Sequence, residues 1–433
     1  MDEFAFFMVF TINFFYSILS KCERAYIIFR FFLFILCKLR GLNMSIYDDS
    51  LKQHYMWKGK FETRSRVEVD TNEKLMLAYT PGVAQACLEI QKDVNKSYEL
   101  TRRWNSVAII TDGTAILGLG DIGPEAGMPV MEGKAALFKT FGDVDCFPLC
   151  LRTKDTDEIV RTIQILCGSF GGINLEDISA PRCFEIERRL KETCDIPVFH
   201  DDQHGTAIVV GAATINALKI VNKKINDITC VVNGAGAAGI SIGKFLLRLG
   251  VKDVIFCDKQ GIIYEGMDNL NPAQEEVSHI SNKRQLKGLL KDALVGADLF
   301  VGVSAPRLVT REMISSMAKD PIVFPLANPV PEITPEEAKL GGARIIGTGS
   351  SQYPNQINNV LVFPGVFRGT LDARAKDINM EMMIAASKAI ASMVDESELN
   401  ENYIIPSATN KKVHEKVAQA VKEMAIETHV NRI

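Results

Sequence analysis

The reading of Ile228-Thr229-Cys230-Val231-Val232-Asn233-Gly234-Ala235-Gly236-Ala237-Ala238-Gly239 decides the fold, together with the apolar run at 240–249 and Val254-Ile255-Phe256-Cys257-Asp258. The pattern is a buried strand, a glycine turn, a helix and a second strand. In that setting G-x-G-x-x-G has a physical meaning. Its glycines let the backbone of Gly234, Ala235, Gly236, Ala237, Ala238 and Gly239 approach a pyrophosphate at the helix N-terminus. Asp258 stands 19 residues beyond the last glycine, where an acid accepts ribose hydroxyls. The stretch predicts dinucleotide binding.

Downstream, strand patterns at 297–303, 321–327 and 344–347 alternate with helical segments, which predicts a doubly wound parallel sheet of Rossmann type. Asn328 falls at the carboxyl end of one strand, and Asn358-Asn359 leads into the apolar run at 360–363. Amphipathic helices at 379–393 and 412–428 are expected to pack rather than react.

Upstream lies Ile196-Pro197-Val198-Phe199-His200-Asp201-Asp202-Gln203-His204-Gly205-Thr206, a short strand ending in two carboxylates before a long apolar helix at 205–221. It falls between the two halves of the chain, and clefts between domains are favoured ligand sites. A second acidic pair, Glu176-Asp177, follows the strand pattern at 171–175. Adjacent acids diverge on a regular strand or helix, so both reach one ion only at a turn. Glu176, Asp177 and Asp202 are hard oxygen donors suited to Mg²⁺ or Mn²⁺. Glu176 and Asp177 serve equally as acids at a helix N-terminus.

Earlier still, 107–113 and 116–123 read as two strands of a hairpin. Lys134 is placed on the first turn of a helix, among Gly133, Ala135 and Ala136; such crowding predicts burial and a lowered pKa suited to a base. Thr80-Pro81 reads as the N-cap and first residue of a helix running to 91, with Tyr79 just outside it. Packing its ring on the core is the plain alternative for that tyrosine.

The chain has 433 residues, 47% apolar and 24% charged, enough for two or three ordinary globular domains. A formal net charge of −4 without long like-charge runs gives no electrostatic basis for a nucleic-acid partner. Ten scattered cysteines form no C-x-x-C pair, so buried reduced thiols in a cytoplasmic protein are expected. Residues 1–43 are different: two apolar runs, each shorter than the ~20 residues of a membrane helix, follow an acidic start. This apolar leader is read as upstream sequence joined to a chain that starts at Met44. A membrane or organellar location follows only if the leader is genuine.

Eight motifs in order then carry a resemblance: AYTPGV at 78–83, LGLGDIG at 117–123, EGKAALFK at 132–139, NLED at 174–177, VFHDDQHGTA at 198–207, GAGAAG at 234–239, LANPVPE at 326–332 and NNVLVFPG at 358–365. Over about 44–430 the chain resembles a malic enzyme of the short, bacterial-type class. The resemblance implies a mixed α/β catalytic domain over 44–204 and a doubly wound NAD(P)-binding domain with C-terminal helices over 205–433. It implies oxidative decarboxylation of L-malate to pyruvate and CO2, with NAD or NADP and Mg²⁺ or Mn²⁺ as cofactors, in a homodimer. Lys134 matches the base that takes the proton of the 2-hydroxyl, and Tyr79 the acid that protonates the enolate carbon. Glu176, Asp177 and Asp202 match the metal ligands, and Asp201 the acid that orients the lysine. Asn328 and Asn359 match contacts to the substrate carboxylate, Asn328 also lying beside the cofactor. Larger members carry an arginine after their Thr-Asp-Gly turn; here the turn reads Thr111-Asp112-Gly113-Thr114-Ala115, as the short class does, which leaves open the cation that holds that carboxylate. Asp258 favours NAD by repelling a 2′-phosphate, while Lys259 beside it leaves NADP open.

Three rivals remain. A malolactic-type enzyme would use the same residues, keep its NAD bound and release lactate. A zinc hydrolase read from His200 and His204 lacks the glutamate that follows the first histidine of such motifs. A dinucleotide-binding protein without turnover is the third.

Overall fold

The computed structural model describes residues 46–433, so the leader at 1–43 and the start at Met44 lie outside the described residues. Among the described residues, those up to Lys60 fall in a different unit from those at 61–433. Within the first, Ile46–Trp57 is a helix with no buried residue.

The second unit is built on two sheets. Strands β1 (Ser106–Thr111), β2 (Asp145–Cys150), β3 (Gly172–Leu175) and β4 (Val198–His200) form the first, all parallel, in the order β2-β1-β3-β4. All six residues of β1 are buried, as expected of a parallel strand covered on both faces. The second sheet holds β5 (Thr229–Asn233), β6 (Asp253–Asp258), β7 (Gly261–Ile262), β8 (Leu299–Gly302), β9 (Ile322–Pro325) and β10 (Ile345–Ile346). Its order is β10-β9-β8-β5-β6-β7, parallel except for β7. The strand order reverses between β5 and β8, the switch point where such sheets open a ligand crevice. Gly234 lies there with φ +110°, and a Cβ on it would come 2.6 Å from the Val303 carbonyl oxygen.

The principal helices are α1 (Asn72–Ala78), α2 (Val83–Lys92), α3 (Pro124–Gly142), α4 (Thr156–Leu166), α5 (Arg182–Thr193), α6 (Thr206–Val221), α7 (Ala237–Leu249), α8 (Pro272–Ile280), α9 (Phe363–Asp372), α10 (Met380–Ala391) and α11 (Lys411–Glu427). Helix α6 is apolar nearly all round and buried from Ala207 through Thr214, between α7 and α10. Its apolar length serves the core. The C-terminal helices return to the first half of the unit: the Phe138 ring on α3 lies 4.6 Å from Phe363 and 5.3 Å from Phe367 on α9.

Three local expectations are corrected. The segment at 116–123 is a loop closed by one bridge between Ile116 and Gly120, not a hairpin strand, because β1 takes β2 and β3 as its parallel neighbours. Helix α3 begins at Pro124, so Lys134 lies in its middle and not on its first turn. The helix after Tyr79 starts at Val83 with Gly82 as its N-cap; Thr80 caps nothing, and Tyr79 itself ends α1.

Candidate active site

The first sheet also has a switch point, between β1 and β3, and the acidic pairs sit at the carboxyl ends beside it. The register pairs Leu175 with His200, which sets Glu176-Asp177 alongside Asp201-Asp202. Asp177 takes a left-handed conformation, φ +53°, and its backbone N–H donates to Asp202 Oδ2 at 2.7 Å. After β4 the chain makes a wide π-type turn, Asp201–Gly205, before α6 begins. Gly205 is required in that turn, since a Cβ there would lie 1.9 Å from Asp201 Oδ1.

Glu176, Asp177 and Asp202 each offer a carboxylate oxygen within 4.8 Å of the others'. Asp177 Oδ2 is buried without a hydrogen-bond partner. Burial, then the neighbouring carboxylates Asp202 and Glu176, push Asp177 up to about 9, and burial likewise raises Glu176 and Asp202. Two buried carboxylates and the half-buried Asp202, mutually repelling and with one orphaned oxygen, fit a hard divalent cation.

Lys134 projects from α3 into the same seam, its Nζ 2.7 Å from Glu176 Oε1 and in contact with Asp201 Oδ2. The Phe363 ring covers it, with Nζ 4.2 Å from the ring centre. Burial pulls Lys134 down, yet the charges of Asp201, Glu176 and Asp202 outweigh it and hold the group above the usual lysine range. The expected lowered pKa is therefore corrected for the metal-free protein: the ammonium has paired carboxylates, not only apolar walls. Asp201, wholly buried, is pushed up to about 8. The Asn359 amide also donates to Asp201 Oδ2, so in this state Asn359 braces the acid that holds the lysine.

The glycine turn faces the crevice of the second sheet. No side chain caps α7, whose first backbone N–H groups point at the turn; a Cβ on Gly236 would meet nothing within 4 Å, while one on Gly239 would strike the Gly234 oxygen at 1.8 Å. Gly236 thus leaves room and Gly239 permits closeness, as a pyrophosphate cradle needs. Asp258 ends β6, where Gln274 Nε2 on α8 donates to its Oδ2 at 2.7 Å, and both line a cavity of about 260 Å³. Asn328 follows β9, and its carbonyl oxygen would lie 2.4 Å from a Cβ on Gly118, so the LGLG loop of the first half closes directly on it.

Tyr79 is the residue this arrangement does not bring in. It is 66% exposed, and its hydroxyl has no hydrogen-bond partner among the described residues. Four contributors went unremarked in the sequence. Asn174 braces Glu176 Oε2 at 2.8 Å and Gln274 braces Asp258. Phe363 sat in a quoted motif without a role, and the buried Glu187 binds the half-buried His204 at its Nε2, 2.7 Å away. That pair occupies the second histidine of the zinc reading, while His200 is wholly buried and lowered to about 4 by burial.

Comparison with known proteins gives a consistent picture. The family described as Malic enzyme, N-terminal domain, matches residues 58–156 and 152–191, and Malic enzyme, NAD binding domain, matches residues 203–426. The chain is 55% identical over 391 residues to the bifunctional malic/malolactic enzyme of Bacillus subtilis, covering 90% of this chain and 95% of that one. It is 56% identical over 396 residues to the NAD-dependent malic enzyme of Geobacillus stearothermophilus, covering 91% and 82%. Among solved structures, the NAD-dependent malic enzyme of Thermotoga maritima superposes with a TM-score of 0.83 at 48% identity, covering 88% and 99%.

Proposed function

The chain belongs to the malic enzyme family, and on that premise we propose that it converts L-malate to pyruvate and CO2 while reducing NAD(P)⁺. The observation that carries the reading is Lys134, buried against Asp201 and Glu176 beside the three-carboxylate cluster. A divalent cation held by Glu176, Asp177 and Asp202 would offset the charge that keeps Lys134 protonated and draw electron density from the keto acid as CO2 leaves. The nicotinamide of a dinucleotide seated on Gly234–Gly239 would accept the hydride from C2.

The chain's own residues do the rest. Lys134 takes the proton of the 2-hydroxyl, and Asp201, raised to about 8 by burial and in contact with the ammonium, shares that proton with it. Phe363 and α3 keep water away from the lysine. Asn328 and Asn359, at the rim of the cleft, orient a carboxylate of malate. Asp258 gives NAD⁺ the advantage over NADP⁺ by repelling a 2′-phosphate.

Protonation of the enolate carbon falls to Tyr79, which this reading delivers from a second chain. Helices α1 and α2 contain no buried residue, and Leu75, Met76, Leu77, Tyr79 and Leu88 are all exposed. An apolar surface of this kind calls for a protein partner. A homodimer in which a second copy covers this arm and receives Tyr79 supplies both the cover and the missing acid. Mixing Tyr79→Phe chains with Lys134→Ala chains tests it: exchange of arms restores about a quarter of wild-type activity in the mixture. No recovery, despite exchange of subunits, would leave Tyr79 acting in its own chain or not at all.

The activity itself is tested by following reduced cofactor with L-malate, Mn²⁺, and NAD⁺ or NADP⁺ in parallel, with pyruvate and lactate assayed at the end. Metal-dependent reduction with matching pyruvate is expected. Lactate without free reduced cofactor is the second reading, which the name of the Bacillus subtilis relative keeps in view. Binding of dinucleotide without turnover would overturn both. A cytoplasmic location completes the proposal, in keeping with free thiols.

A further inference from the structure

Cys167 and Cys194 are 27 residues apart in sequence, yet their sulfurs lie 2.9 Å apart, with the Cys167 thiol donating to Cys194. That is closer than two unbonded sulfurs sit at ease, and closing to the ~2.05 Å of a disulfide moves them by less than about 1 Å. The approach is fixed from both sides. Cys167 ends α4, its amide donating to Ile163 and its carbonyl accepting from Phe170 and from the buried Arg103. Cys194 ends α5, its amide on the Leu190 carbonyl. Between the two helices, Gln164 Nε2 donates to Thr193 Oγ1 at 2.9 Å, one residue before Cys194. The sulfurs differ in access: Cys167 is 6% exposed, whereas Cys194 is only partly buried.

We propose that Cys167 and Cys194 form a thiol–disulfide exchange site, at which a low-molecular-weight disulfide converts the two thiols into an intramolecular bridge. Cys194 reacts first because it is the one a disulfide can reach, and the hydrogen bond it receives from Cys167 favours its thiolate. Its sulfur attacks the external disulfide, forms a mixed disulfide and releases one thiolate. The Cys167 thiol then gives its proton to solvent and attacks the Cys194 sulfur, expelling the second thiolate. Two protein thiols are oxidised and one external disulfide is reduced to two thiols, which balances electrons and protons.

The bridge would fasten α4 to α5 just before the amino ends of β3 and β4, the strands whose opposite ends carry Glu176, Asp177, Asp201 and Asp202. It closes a loop that contains β3, both residues of the Glu176-Asp177 pair and all of α5. A cross-link of that span chiefly restricts the unfolded chain, so oxidation stabilises this part of the sheet from the end remote from the chemistry.

The test equilibrates the full-length protein in graded mixtures of reduced and oxidised glutathione, traps free thiols with N-ethylmaleimide and maps the cysteine peptides. We expect a protein lighter by two hydrogens, a linked pair of peptides carrying Cys167 and Cys194, reversal by dithiothreitol, and a thermal midpoint raised by several degrees with malate turnover unchanged. Cys194→Ser should abolish the bridge and leave Cys167 free. Two outcomes overturn the proposal: both residues alkylated even in the most oxidising mixture, or a glutathione adduct that persists on Cys194 beside an unreacted Cys167. Because the wild-type protein supplies the deciding peptide, the result does not depend on the variant folding.

Discussion

Lys134 and Tyr79, the two residues proposed to move protons, stand in contrasting surroundings. Lys134 is 7% exposed, pinned between two carboxylates and capped by an aromatic ring, all from its own chain. Tyr79 is 66% exposed on an arm whose helices bury nothing. The buried seam is built from the chain's own packing, and its cost is visible in carboxylates raised by burial and mutual repulsion. The arm has no such stored cost and no such precision; its geometry waits on another surface. On the proposed reading, the charged group that must hold a proton in place is set by the single chain, and the neutral acid by a second copy.

The contrast is most sharply broken at the lysine. Lys134→Ala should lower kcat with malate by about 10³-fold while leaving NAD⁺ affinity unchanged in a binding titration; an equal loss of cofactor affinity would make the residue a structural one. Asp177→Asn should weaken Mn²⁺ by more than about 100-fold by calorimetry, since partners outside the ligand shell alone are worth ~10–100-fold. The same variant should not lower the metal-free thermal midpoint, because burial and the acidic neighbours already disfavour a carboxylate at Asp177, pushed up to about 9; a clear fall would contradict the strained-seam account. Tyr79→Phe should slow pyruvate formation by about 10²-fold with no change in melting, as it removes the hydroxyl and keeps the ring. Asp258→Ser should shift the NADP⁺ to NAD⁺ preference by about tenfold, close to 1.4 kcal/mol, in paired kcat/KM measurements.

Glu187→Gln should leave turnover nearly intact and cost stability of about 1–2 kcal/mol in urea unfolding, since it weakens a part-buried pair with His204. Burial opposes ionisation of Glu187, but the His204 contact wins and holds it down to about 2. Its folded pKa lies below the unfolded one, so this contribution is present above about pH 4.5 and is lost as pH falls through about 2. Wild type should therefore lose stability across that window more steeply than the variant.

What the sequence made readable was local. The strand, glycine turn, helix and acid from Ile228 to Asp258 appear as read, because each element announces itself within a few residues. The acidic pairs were readable as turn residues, and β3 and β4 bring them together by plain parallel register. The lysine's state was not. Crowding by Gly133 and Ala135 pointed to burial, which is present, but the sign of its shift is set by Glu176, 42 residues on, and Asp201, 67 residues on. The hairpin at 107–123 failed for the same reason: β1 is claimed by distant strands, and no local pattern carries that preference. Likewise the cysteines nearest in sequence, Cys146 and Cys150, are not the pair that meets in space.

Gly205 carries a consequence for inheritance. Its missing side chain is the space that the Asp201 carboxylate fills, 1.9 Å from where a Cβ would stand. Every missense change in a glycine codon adds at least that carbon, so each one displaces Asp201, and through it Lys134 and Asn359. No substitution at this codon is neutral to the position of that carboxylate.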